Sequence, residues 1–147
     1  MTGVPVFPDG YPTDLLEKIL NNGGTFTAYH AYRVAKYGLE DPRSFLSTYQ
    51  EKVLKGIMPK LPPNGKRKNP GLSEYSTSCF NSMDKPKDYC KNSMRDYPKA
   101  VVVKGVTCPA CGPTKFNTDS GHIDWWLYKD TKPHIFFFET EVTLNEI

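Results

Sequence analysis

Three short runs hold side chains suited to chemistry on a charged substrate: Tyr32-Arg33, Tyr75-Ser76-Thr77-Ser78 and Glu139-Thr140-Glu141. An arginine offers a planar fork that pairs with a pyrophosphate or carboxylate through two hydrogen bonds. Two glutamates spaced by two share one face of a strand. A fourth run, His122-Ile123-Asp124-Trp125-Trp126, alternates in the same way. It puts His122, Asp124 and Trp126 on one face, where an indole can stack a base or nicotinamide ring and the polar pair can bond its edge. Each run also has a plain structural reading: a solvated arginine, an edge strand with hydroxyls facing water, a polar strand face, and a tryptophan at the rim of the core. The His-Asp pair is not a triad by itself, because nothing in the sequence places a serine or cysteine beside it.

Cys108-Pro109-Ala110-Cys111 is a CxxC knuckle able to clasp one side of a zinc ion. A closed zinc site needs four ligands, and the further candidates are Cys79, Cys90, His122 and His134, with no second CxxC or HxxxH among them. A redox CxxC opens a helix after a strand, which Gly112-Pro113 disfavours here, so buried thiols in a tight turn are the leading expectation. Lys66-Arg67-Lys68 is the one cluster of adjacent cations and the only support for a nucleic-acid partner. No GxxxxGK[ST] loop, GxSxG elbow, helix-turn-helix or RNP signature accompanies it.

Taken in order, the arginine, the Ser-Thr-Ser run and the Glu-x-Glu run resemble the pattern of the ADP-ribosyltransferase superfamily, which cleaves NAD and transfers its ADP-ribose. The likeness extends over residues 26 to 142, since that family follows its Ser-Thr-Ser strand with an amphipathic helix and then a strand. The resemblance implies NAD as substrate, Arg33 on a strand and bonded to the pyrophosphate, and Ser76, Thr77 and Ser78 lining the cofactor site. It also implies Glu141 as the carboxylate beside the ribose and Glu139 as the residue that orients or activates the acceptor. The chemistry is coherent, because breaking the nicotinamide–ribose bond develops oxocarbenium character that a nearby carboxylate stabilises.

These groups need elements to hold them. Thr13 and the apolar stripe Leu15, Leu16, Ile19, Leu20 predict a first helix ended by Gly23. Residues 25 to 38 satisfy both periods: Phe26, Ala28, His30, Tyr32 and Val34 alternate as in a strand, while the alanines and Gly38 suit a helix. "EDPRSFLSTYQEKVLKG" predicts one helix from Pro42 to Gly56, laid over a sheet. Residues 57 to 73, with four prolines and two glycines, predict a long surface loop. "EYSTSCF" reads as a strand, residues from Asp84 onward as a helix burying Tyr89, Cys90, Met94 and Tyr97, and "KAVVVKGVT" as a central strand closed by Gly105. "CPACGPTKFNTDSG" reads as turns, and "HIDWWLY" and "HIFFFETEVTL" as strands. The pattern is α+β: one domain over residues 1–147, with a small mixed or antiparallel sheet, arranged as two short sheets meeting at a cleft, and three or four helices.

The chain has 147 residues, 13% of them aromatic, and a net charge of +3, which fits one folded domain and does not demand a nucleic-acid partner. The opening residues lack a basic segment followed by an apolar run, so the expectation is a cytoplasmic protein with reduced cysteines and no membrane partner. Whether it is an enzyme stays open. The rival reading is a non-catalytic binding protein of mobile-element or phage type that captures a host protein or a nucleotide, and a metal-stabilised nucleic-acid module comes third.

Overall fold

A computed structural model describes residues 6–56, 71–93 and 96–140, with the backbone alone for 90–93. Residues 57–70 of the loop expected at 57–73, with its Lys66-Arg67-Lys68 cluster, and Met94 and Glu141 lie outside the described residues; the end of that loop enters a 3-10 turn, Leu72–Tyr75. Helix α1 covers Leu15–Asn21 and buries Leu15 and Ile19. Its N-cap is Asp14 rather than Thr13. The ambiguous segment is a strand, β1, His30–Ala35. The run from Pro42 is broken in two: a 3-10 turn over Pro42–Phe45, then α2 over Thr48–Leu54. The break has a local cause. Ser47 Oγ accepts from the Gln50 amide at 3.1 Å while the Gln50 side chain accepts from the Ser47 amide at 3.0 Å, a reciprocal cap that starts a new helix. The apolar stripe expected on one face of a single helix, Phe45, Leu46, Tyr49, Val53 and Leu54, is therefore split as well, with Phe45 in the core and Val53 and Leu54 exposed.

Strand β2 covers Thr77–Phe80, α3 Asp84–Ser93 and β3 Val101–Val106. Tyr89, expected inside, is 55% exposed. Gly105 lies within β3 rather than closing it, because a Cβ there would stand 2.2 Å from Phe136 O and 2.6 Å from the Phe137 ring. The run read as turns contains a 3-10 turn at Pro109–Cys111 and a short strand, β4, Thr114–Phe116. Strands β5, His122–Trp125, and β6, Phe137–Glu139, complete the set.

The strands form one antiparallel sheet in the order β4-β5-β2-β1-β3-β6. The Val-rich β3 is internal, as its apolar run requires. The structure thus has one sheet instead of the two short sheets expected from the sequence, and its shortest pairing among the described residues is that of β1 with β2, the single register pair Tyr32↔Phe80. By contrast β1 pairs with β3 along its whole length, His30↔Val106 to Ala35↔Val101. One face of the sheet carries the main core, with Ala31, Ala35, Cys79, Val103, Ile123, Trp125 and Phe137 packed against Phe45. On the other face, Val34, Ala100 and Val102 pack with Tyr32, Met83 and Tyr97 beside α3. Helix α1 and Trp126 build a smaller aromatic cluster with Tyr75.

Candidate functional site

Beyond Tyr32 the strands β1 and β2 part, and Arg33 fills the gap. Its Nη1 donates to Ser78 O at 2.6 Å, a carbonyl freed from sheet pairing by the divergence. Its Nε donates to Ser44 O at 2.9 Å, and Nη2 reaches Leu46 O at 3.4 Å. Alternation turns Arg33 toward the same covered face as Ala31 and Ala35, so its side chain is 8% exposed. Burial pulls its pKa below the usual arginine value, opposed by the charges of Cys79 and Glu51. The guanidinium is thus a wedge that satisfies backbone carbonyls, which a buried cation requires.

Over this gap opens a cleft of about 550 Å³. Arg33 and Lys36 from β1 and its end, Glu51 from α2, Ser78 and Phe80 from β2, Lys85 and Tyr89 from α3, and His122 from β5 are among the residues that line it. Arg33, Lys36 and Lys85 set three cations against the one carboxylate of Glu51, so the cleft favours an anion. Lys36 Nζ lies 3.2 Å from Glu51 Oε2, and Arg33 Nη2 lies 4.0 Å from Oε1. A second concavity of about 450 Å³, bordered by Pro8, Phe45 and residues 127–134, holds none of Arg33, Ser78 and His122.

The Ser-Thr-Ser run divides by strand alternation. Thr77 faces the core and donates from Oγ1 to Phe45 O at 2.8 Å, fixing the 3-10 turn against β2. Ser76 and Ser78 face the other way. The register pairs Ser78 with Asp124 and Phe80 with His122, so the diagonal brings His122 and Ser78 together. Ser78 Oγ lies 3.1 Å from His122 Nε2, and His122 Nδ1 lies 3.8 Å from Asp124 Oδ1. Ser76 Oγ is 2.5 Å from the same Asp124 oxygen and 2.9 Å from Ser73 O. The shorter, charge-assisted bond is the stronger claim on its one proton. The result is a row of polar groups, Ser76, Asp124, His122, Ser78; the last two line the cleft, while Asp124 borders a separate concavity of about 350 Å³ with Leu72 and Trp126.

Other expected residues stand apart from it. The alternation of "HIDWWLY" holds through Trp125, where β5 ends; Trp126 is 1% exposed, packs with α1 and donates from Nε1 to Leu72 O at 2.9 Å, so its ring is not on the cleft. Glu139 is exposed on the edge strand β6; its partner Val103 also pairs with Arg33, which places Glu139 on the Arg33 face two strands away. Cys111 is buried and its thiol is pushed up to about 12 by that burial, with Cys108 adding to the shift. Cys79 is likewise pushed up to about 11 by burial. Among the described residues no three His, Cys, Asp or Glu side chains converge to hold a metal ion, and no helix is long and apolar enough to cross a membrane.

The charged residues of the cleft other than Arg33, namely Lys36, Glu51 and Lys85, were not singled out from the sequence, nor was Phe80. A signal existed for Glu51, since Ser47 and Gln50 stand three apart as a capping pair, and recognising it puts Glu51 in the first turn of a helix starting at Thr48. Nothing local signals the two lysines. No protein-family model matches the chain, and no significant match to it is found among curated proteins or solved structures.

Proposed function

We propose that the cleft binds NAD and that the chain acts as an ADP-ribosyltransferase-like enzyme. One observation carries this reading: Arg33 lies on a strand directly beside the Ser-Thr-Ser strand, and Arg33, Ser78 and His122 line a single cationic cleft. Lys36 and Lys85 are the donors for the pyrophosphate, with the buried Arg33 charge beneath them. Phe80 and Tyr89, whose rings are 6.0 Å apart, are the flat surfaces for a base or the nicotinamide.

The carboxylate that serves this site is Asp124, which stands behind His122 and borders a neighbouring concavity rather than the cleft itself. It is held by Ser76 of the Ser-Thr-Ser run, and His122 stands two residues before it on the same face, the spacing that Glu139 and Glu141 have in sequence. In this role Asp124 orients His122 and balances its charge, and His122 handles the acceptor's proton as neutral nicotinamide leaves.

The test is nicotinamide release from labelled NAD. Asp124→Asn is expected to lower the rate by about 10²–10³-fold, the usual loss for an electrostatic group at a transition state. If Glu141→Gln or Glu139→Gln has that effect and Asp124→Asn does not, the carboxylate comes from the β6 side. If the wild-type chain leaves NAD intact across a broad acceptor panel, the enzymatic reading fails. The internal commitment of Arg33 favours a second reading, a nucleotide-binding protein without turnover. Thermal stabilisation by NAD or ADP with no nicotinamide released distinguishes it.

A further inference from the structure

We infer that the first acceptor of the ADP-ribosyl group is the chain's own Ser78. This inference rests on the NAD reading above and names the nucleophile of that site. The atom that would take a proton from an incoming acceptor is His122 Nε2, and it already faces Ser78 Oγ at 3.1 Å. An external hydroxyl has to displace Ser78 to reach it. With the ring proton on Nδ1, the nitrogen 3.8 Å from Asp124 Oδ1, the Nε2 lone pair faces the serine hydroxyl. Ser76 in turn anchors Asp124.

The register explains why these groups meet. Ser78 and Asp124 are direct partners across β2 and β5, and the diagonal from Ser78 brings His122 Nε2 to Ser78 Oγ at the cleft, beside any ribose bound there. Ser78 is partly exposed and lines the cleft, while the other hydroxyls of the run, Ser76 and Thr77, are buried and bonded elsewhere.

In the reaction a bond forms between Ser78 Oγ and C1 of the nicotinamide ribose. The bond from C1 to the nicotinamide nitrogen breaks, and its electron pair leaves on neutral nicotinamide. The Ser78 proton passes to His122 Nε2, where Asp124 balances the imidazolium charge. The ADP-ribosyl group then occupies the cleft and blocks a second NAD.

The experiment uses the full chain and NAD labelled in its adenine half. The expected result is a burst of about one nicotinamide per chain, with label that survives denaturation and maps to the peptide holding Ser78. Ser78→Ala removes the label from that peptide, and His122→Ala slows labelling by about 10²-fold or more. Ser78→Thr, which keeps a hydroxyl, is expected to retain label there and carries the test if the alanine variant does not fold. Nicotinamide release without label on Ser78, or with label on another residue, overturns the acceptor assignment and leaves the NAD reading standing. Absence of nicotinamide release overturns both.

Discussion

Replacing Arg33 by methionine removes a guanidinium while keeping a long, unbranched stem, so the effect reads mainly the bonds that hold β1 and β2 apart. Two of those bonds are short, 2.6 Å to Ser78 O and 2.9 Å to Ser44 O, and the third, to Leu46 O, is long at 3.4 Å. Hydrogen bonds from a charged donor contribute about 1.5–3 kcal/mol each, so two good ones amount to about 3–6 kcal/mol. Relief from burying the cation offsets part of this, and removing one partner from a buried charged network typically costs about 3–5 kcal/mol. For a chain of 147 residues, each kcal/mol moves the thermal midpoint by about 2–4 °C, which gives a drop of about 6–20 °C. Arg33→Lys is the informative companion. An ammonium keeps the charge but presents its donors from one point and cannot span three separate carbonyls, so at least about half of the loss is expected to remain. Urea unfolding followed by tryptophan fluorescence measures both, since Trp125 lies in the main core. If both variants stay within about 1 kcal/mol of wild type, the guanidinium does not hold the split and the account of the cleft floor is refuted.

Ser47→Ala removes the reciprocal cap of α2 and the 2.6 Å contact to Tyr11 Oη, so a loss of about 1–2 kcal/mol is expected in the same unfolding assay. Gly105→Ala drives a Cβ to 2.2 Å from the Phe136 carbonyl and is expected to cost about 1–3 kcal/mol, with earlier proteolytic cutting near β6 as the structural readout. The buried Cys79 and Cys111 thiols, raised from 9.0 to about 11 and about 12, leave stability unchanged below pH 9.0. Above it the unfolded chain loses these protons first, so stability falls as pH climbs from 9.0 towards the folded values. Below that window both thiols are expected to resist iodoacetamide until the chain is unfolded, and fast labelling of the native protein there contradicts their burial.

Much of the fold was legible where one residue pattern had one solution. The β-branched run of "KAVVVKGVT" behaved as its period requires, and the α1 stripe did so for Leu15 and Ile19, while Leu20 is exposed. Residues 25 to 38 were not legible, because alternation and helix-compatible alanines coexist there; pairing with β3 along all of His30–Ala35 decided for the strand. The helix expected from Pro42 to Gly56 failed at Leu46 and Ser47, where a reciprocal side-chain cap outweighed a continuous apolar stripe. Strand β4, three residues long, has too short a span to show any period, and its pairing with β5 and the bridge from Thr114 to Thr25 define it.

The sequence by itself determined which side chains could act and which of them share a face: Ser76 with Ser78, and His122 with Asp124, because alternation along an extended chain is a local property of the backbone. It also determined the α+β class, through the order of its periods. Only the tertiary structure decided which faces meet. Ser78 and His122 are 44 residues apart and Ser76 and Asp124 are 48 apart, and the register of β2 against β5 brings both pairs into contact. The gap that Arg33 fills exists because β1 pairs fully with β3 and barely with β2. Register and divergence are properties of two strands at once, fixed by how the whole core packs, and no local period encodes them.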